Sequence, residues 1–159
     1  MKRAFLTLAI SLIITSLLPL SGQNTREKSA LSFDSLRGNW ELIYDNNYGY
    51  SFRLGKNYRA IVILYLNDSS VIFKGIYTIE DSNTLRINIS EMKREDKIKA
   101  LNVKSGFVQV KSSYFIFKGT IKPVKKSRIL ELRPVTISIE GSDSEGYFEP
   151  LIELNYTGK

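Results

Sequence analysis

The chain has 159 residues, a formal net charge of +7, no cysteine and no histidine. The absence of cysteine excludes disulfides and thiolate chemistry, and the absence of histidine removes the commonest general base and zinc ligand. The length suits one domain, and a composition that is 43% hydrophobic can bury a core.

The first 22 residues have the order of a secretory signal peptide. Lys2 and Arg3 precede an almost wholly apolar run from Ala4 to Leu20, and a polar stretch begins at Gln23. An uncleaved N-terminal anchor is the alternative. We expect an exported protein, periplasmic or extracellular, and not a lipoprotein, because acylation needs a cysteine. The predicted division of the chain is a signal peptide over 1–22, a polar linker over 23–31 and one domain over 32–159.

The domain is expected to begin with a single helical turn. Ser32 or Asp34 could cap this turn, and Gly38 would end it and admit the chain into a first strand. From Trp40 onward the side chains alternate between apolar and more polar types, which is typical of a half-buried strand.

Period-two alternation continues through most of the remaining chain. Pro134 must lie at an edge or a bulge, because proline cannot donate to a strand ladder. Residues 91–105 leave three alternatives open: a long loop, a short exposed helix, or a loop leading into a strand from about residue 98. The predicted strands lie at about 40–45, 58–66, 71–80, 85–90, 107–111, 114–121, 128–139 and 147–156, with turns at 46–49, 67–70, 81–83 and 112–113.

This layout predicts an all-β fold: a single antiparallel up-and-down β-barrel of about eight strands. A meander of this length must protect its edge strands, and closure into a barrel does so. Lys74, Arg86 and Lys118 interrupt the outward faces, so no transmembrane span is expected in the mature chain. An eight-stranded barrel can be filled by its own side chains or can hold one small ligand.

The segment Phe33–Ile43, which contains Gly38-Asn39-Trp40, resembles the opening signature of the lipocalin and wider calycin families. In those families a short helical turn leads through Gly-x-Trp into the first strand, the tryptophan plugs the barrel, and an arginine stacks over it. The resemblance covers about a dozen residues by motif and about 120 by strand layout. It implies a lipocalin-like structural motif of Gly38, Trp40 and Arg133. A second family motif and a helix after the last strand are not found.

One set of apolar side chains shares the inward face by alternation. These side chains form either a filled core or the lining of an apolar pocket. The resemblance implies the second reading, with a small apolar or amphipathic ligand inside the barrel. The candidate ligand-binding residues are Trp40, Phe73, Tyr77, Leu85, Ile87, Phe115 and Phe117.

Basic residues crowd two segments and support a different function. They could contact a protein partner or an anionic surface, or they could be solvated loops that guard edge strands. The first cluster is Lys122, Lys125, Lys126 and Arg128, and the second is Lys93, Arg94, Lys97 and Lys99.

The carboxylates form no convincing acid/base pair, so we expect no enzyme, no catalytic residue, no metal and no cofactor. A nucleic-acid partner is not expected for an exported protein. Two functions stay open. The first is an exported lipocalin-like protein that binds a small apolar or amphipathic ligand in its barrel. The alternative is a non-enzymatic envelope or surface interaction protein with a filled barrel and basic contact loops.

Overall fold

The structure, a computed structural model, describes residues 29–96, 106–144 and 146–158. Within these residues the chain forms one helical turn followed by a closed, eight-stranded antiparallel β-barrel, which confirms the predicted fold class. The predicted signal peptide lies outside the described residues. The elements are α1 (Phe33–Leu36), β1 (Gly38–Ile43), β2 (Gly49–Leu54), a 3₁₀ turn (Lys56–Tyr58), β3 (Arg59–Leu66), β4 (Ser69–Asp81), β5 (Thr84–Asp96), β6 (Val108–Val124), β7 (Ser127–Ile139), β8 (Ser142–Asp143) and β9 (Ile152–Gly158).

Each strand from β1 to β7 pairs with the next one, and β9 pairs with both β7 and β1 to close the barrel. The two-residue β8 adds only to the end of β7. Because neighbouring strands run in opposite directions, their connections separate into two groups. We call the end that carries α1, the 3₁₀ turn and the β4–β5 and β6–β7 turns the helix end. The end that carries the β1–β2 and β3–β4 turns is the far end.

The domain begins slightly before the predicted boundary at residue 32. Ser29 pairs with Ile121 near the end of β6, and the Leu31 side chain is buried in the core. The linker prediction is therefore wrong for residues 29–31, because Leu31 supplies an apolar anchor within a polar stretch. Ser32 caps α1 as predicted: its hydroxyl accepts from the Ser35 amide, and the Ser35 hydroxyl accepts from the Ser32 amide.

Two strands continue through segments for which the sequence pattern did not predict a strand. Residues 91–96 belong to β5, where bulges let a charged stretch continue the pairing with β4 and β6. The predicted turn at 112–113 is instead a kink inside β6. Ser112 takes a positive φ of 51°. Its carbonyl accepts a hydrogen bond from the amide of Gly141, which lies in the turn after the adjacent strand β7.

The last strand begins at Ile152, later than predicted, because residues 147–151 leave the sheet around Pro150. Pro134 lies beside a register shift between β6 and β7, which confirms the predicted bulge. No helix among the described residues has the length and apolar character needed to cross a membrane.

Candidate functional site

The seven inward-facing residues predicted as ligand contacts all lie in the barrel interior, and each is at most 1% exposed. They pack directly on one another: the rings of Phe73 and Phe115 lie 5.0 Å apart, and those of Phe115 and Phe117 lie 6.4 Å apart. The structure therefore brings the predicted set together as one continuous core.

A phenylalanine that does not belong to a strand occupies the far end of this core. Phe148 lies in the connection before β9, and its ring centre is 5.2 Å from that of Phe117 and 5.3 Å from that of Phe115. It also packs on Tyr50 and Phe52, at 5.6 and 6.1 Å. We call residues 146–151 the plug segment. The sequence pattern missed its role because it assigned Phe148 to the last strand.

Hydrogen bonds hold the plug segment against the β1–β2 hairpin. The Glu149 amide donates to the Tyr50 hydroxyl at 3.1 Å, and the Tyr44 hydroxyl donates to the Glu149 carboxylate at 2.8 Å. The bond to this carboxylate raises the pKa of Tyr44, and burial raises the pKa of Tyr50. Both hydroxyls therefore keep their protons at neutral pH, so the Tyr44 hydroxyl can donate to the Glu149 carboxylate.

At the helix end, Trp40 is fully buried and donates its indole N–H to the Leu36 carbonyl at 2.6 Å. The guanidinium that covers it belongs to Arg128, not to Arg133. Arg133 is exposed on the outer face and contacts Glu131, so its predicted stacking role is wrong. Arg128 shares the inward parity of Leu130, whereas Arg133 has the outward parity of Glu131, and the sequence pattern carried this signal.

Three residues of the predicted basic clusters form ion pairs with neighbouring carboxylates. Lys122 contacts Glu131 and Glu153, and the bond to Glu131 raises the pKa of Lys122. Lys93 pairs with Glu95 and Arg94 with Asp96, while Lys97 and Lys99 lie outside the described residues. Lys125 and Lys126 are exposed in the β6–β7 turn, and no described carboxylate lies within ion-pair distance of either.

A second group of cations, which sequence reasoning missed, meets on the outer wall at the helix end. Arg37 follows α1, Arg53 lies on β2, Lys56 begins the 3₁₀ turn and Arg59 begins β3. Together with Leu54 and Ile61 they line a groove of about 460 Å³, which we call the basic groove. Arg53, Lys56 and Arg59 fall within seven residues that contain no acidic side chain, and this signal could have marked them, whereas Arg37 lies in a separate segment.

The charge of the basic groove is largely uncompensated. Arg37 lies 4.0 Å from the exposed Asp34, and no described carboxylate forms an ion pair with Arg53, Lys56 or Arg59. Arg53 lies between Asn39 and Ile61 in the strand register, so its cross-strand neighbours are neutral.

The turn that carries Lys56 and Arg59 is held in a strained shape. Asn57 and Tyr58 both have positive φ, at 59° and 62°, and each such residue costs roughly 1–3 kcal/mol. Two contacts hold the turn in place. The Tyr77 hydroxyl donates to the Gly55 carbonyl at 3.3 Å, and the Tyr58 ring packs edge-on against Phe33 at 4.5 Å.

Among the described residues, no group of three aspartate or glutamate side chains is arranged to hold a metal ion. Comparison of the chain with protein-family models, curated proteins and solved structures finds no match. The fold and the site therefore define the class: a closed eight-stranded β-barrel with a continuous apolar core and a basic groove on its outer wall.

Proposed function

We propose that this chain is an exported, non-enzymatic binding protein that attaches to anionic membrane surfaces through the helix end of a filled, lipocalin-like barrel. The observation that carries the proposal is a set of cations that form no ion pair with a described residue and lie at one end of a barrel with a continuous apolar core. These cations are Arg53, Lys56, Arg59, Lys125 and Lys126.

Charge is divided between the two ends of the molecule, and the division supports one docking orientation. The turns of the far end and the plug segment contribute carboxylates at Asp45, Asp68, Glu140, Asp143 and Glu149. Cations also lie towards the far end, at Lys93, Arg94 and Lys111, and carboxylates lie at the helix end, at Asp34, Glu80 and Asp81. The helix-end cations that form no ion pair with a described residue nevertheless make it the end that an anionic surface attracts. Each lysine or arginine close to such a surface contributes about 1 kcal/mol, so several cations acting together are needed for stable attachment.

Exposed aromatic side chains accompany the cations. Phe33 is 40% exposed and Tyr58 is 52% exposed, and their rings contact one another beside Lys56 and Arg59. Aromatic rings next to basic side chains are typical of residues that sit at the headgroup level of a membrane. Residue 29 also joins the barrel at this end, so an uncleaved leader would tether the same face to the membrane.

Vesicle binding of the purified mature chain tests the proposal. We expect co-sedimentation with vesicles that contain an anionic lipid but not with pure phosphatidylcholine. The binding should weaken between about 0.1 M and about 1 M salt, as the Debye length falls from about 10 Å to 3 Å.

The orientation can be tested with two added tryptophans of matched exposure. Phe33 and Tyr147 are 40% and 38% exposed, at the helix end and in the plug segment. Phe33→Trp emission should shift to the blue when anionic vesicles are added, and Tyr147→Trp emission should not. The proposal would be contradicted if the wild-type chain did not bind anionic vesicles, or if the tryptophan emission of both variants shifted equally.

Transport of a small apolar ligand inside the barrel is the second candidate, and one observation favours it. Phe148 comes from a connecting segment, so its withdrawal would uncover Phe115 and Phe117 without breaking a strand pair. Native mass spectrometry followed by lipid extraction separates the two functions. A co-purifying apolar molecule would favour the carrier.

A further inference from the structure

The basic groove differs from the rest of the helix end because its cations are presented by a fixed frame. Lys56 and Arg59 flank the 3₁₀ turn, whose ends are joined by a hydrogen bond from the Gly55 amide to the Arg59 carbonyl at 2.8 Å. The same Gly55 accepts from the Tyr77 hydroxyl inside the barrel. Lys125 and Lys126, by contrast, extend from an exposed turn without such contacts.

The two sides of the groove differ in chemistry. Arg53, Lys56 and Arg59 supply two guanidinium groups and one ammonium group, none of them in an ion pair with a described residue. Ile61, which is half-buried, supplies apolar surface beside them. Guanidinium groups bind phosphate oxygens in a two-pronged geometry, which makes arginine pairs well suited to a phosphate group.

The size of the groove indicates a ligand larger than an isolated anion. Its volume of about 460 Å³ lies in the range of sites that hold small organic molecules. A free phosphate ion would leave the apolar side beside Ile61 empty. A phosphate that carries a glycerol backbone and the start of an acyl chain matches both sides.

We propose that the basic groove is a specific site for the phosphomonoester headgroup of a membrane lipid, with Arg53 and Arg59 as the principal phosphate contacts. The inference rests on the proposed attachment of the helix end to anionic membranes and names the headgroup that this end selects. Lys125 and Lys126 then provide attraction without selection, because their side chains project from an exposed turn.

The experiment compares two lipids at equal surface charge. Vesicles of phosphatidylcholine receive either phosphatidic acid, which ends in a phosphomonoester, or phosphatidylglycerol, which is a phosphodiester, adjusted to the same zeta potential. The wild-type chain should bind the phosphatidic acid vesicles at least about tenfold more tightly, since each charge-assisted hydrogen bond to the terminal phosphate adds to affinity.

Two double variants remove the same charge from the same end. R53Q/R59Q should lose the preference for phosphatidic acid and keep weak binding to both vesicles. K125Q/K126Q should weaken binding to both vesicles and keep the preference. Circular dichroism and the melting temperature show whether each variant is folded, and Arg53 and Arg59 are exposed, so both changes should be tolerated.

The outcomes separate this inference from the proposed function. If the wild type binds anionic vesicles without preference, or if R53Q/R59Q keeps the preference, the groove site is overturned and surface attachment stands. If no vesicle is bound, attachment itself fails. Inorganic phosphate and a water-soluble glycerol phosphate are titrated as probes. Binding of inorganic phosphate as tight as that of the vesicles would overturn the lipid as the ligand.

Discussion

The Arg128 guanidinium lies 5.3 Å from the centre of the Trp40 ring and joins four elements at the helix end. It also lies 4.2 Å from the ring of Tyr156 on β9, and it donates to the Ser35 carbonyl of α1 at 3.0 Å. One side chain of β7 therefore holds the helical turn, the first strand and the last strand together. Trp40 is the only tryptophan of the chain, so its fluorescence reports on this junction.

Arg128→Ala should destabilise the fold by about 1–3 kcal/mol, because a cation–π contact and a charged hydrogen bond are both lost. Trp40 emission should move to longer wavelength as the helix end loosens, and urea denaturation followed by that emission measures the loss. Lys126→Ala, which removes an exposed cation from the adjacent β6–β7 turn, serves as the control. An equal loss in both variants would show that Arg128 has no special structural role.

Phe148→Ala should cost about 3–5 kcal/mol and leave a cavity between the plug segment and the core. Phe148 contacts four buried aromatic rings, so its removal leaves apolar space that a small aromatic molecule or xenon can enter. Xenon-induced NMR shifts at Phe115 and Phe117 measure the binding. Tyr147 is the exposed neighbour of Phe148, and Tyr147→Ala should change neither the stability of the fold nor the binding of xenon. Binding of xenon to the wild type would contradict a filled barrel.

Lys122→Gln should destabilise the fold by about 1–3 kcal/mol, since it removes one of the two cations, Lys122 and Arg133, that contact the buried Glu131 carboxylate. The Glu131 side chain is 7% exposed and lies opposite Glu153 in the strand register. Adding Glu131→Gln to Lys122→Gln should recover part of the loss. Urea denaturation of the two single variants and the double variant checks this coupling, and strict additivity would disprove it.

Asp81→Asn should lower the melting temperature at neutral pH by an amount that shrinks in acid. A hydrogen bond from the Thr84 hydroxyl, with others from the Asn83 amide and Lys118, lowers the pKa of Asp81 from 3.8 to about 2. A lowered folded-state pKa stabilises the fold above the unfolded pKa, and this contribution is lost as the pH falls from about 4 through about 2.

Thermal melts of the wild type and Asp81→Asn between neutral pH and acid measure this linkage. Asp68→Asn is the control, because Asp68 is exposed in the β3–β4 turn and no described residue donates a hydrogen bond to it. A difference between the wild type and Asp81→Asn that is constant with pH would rule out the linkage.

The alternation of side chains predicted the fold class, because burial on one face of a strand imposes a period of two on the sequence. It missed β2 and divided β6 into two strands, and these two errors left the count of eight unchanged. The same alternation placed Phe73, Tyr77, Leu85 and Ile87 inside. It failed at Ser112 and at residues 91–96, where bulges let strands continue through polar stretches. A bulge depends on the partner strand, which local sequence does not show.

The sequence by itself determined the fold class, the inward set and the absence of cysteine and histidine chemistry, since these follow from composition and from local periodicity. Only the tertiary structure decided that Phe148 completes the core and that Arg37, Arg53, Lys56 and Arg59 share one groove. The contacts of Phe148 and the approach of Arg37 to the β2–β3 connection join distant segments, and the position of such contacts is set by closure of the barrel. Arg53, Lys56 and Arg59 are close in the chain, and only the structure shows that they share one face.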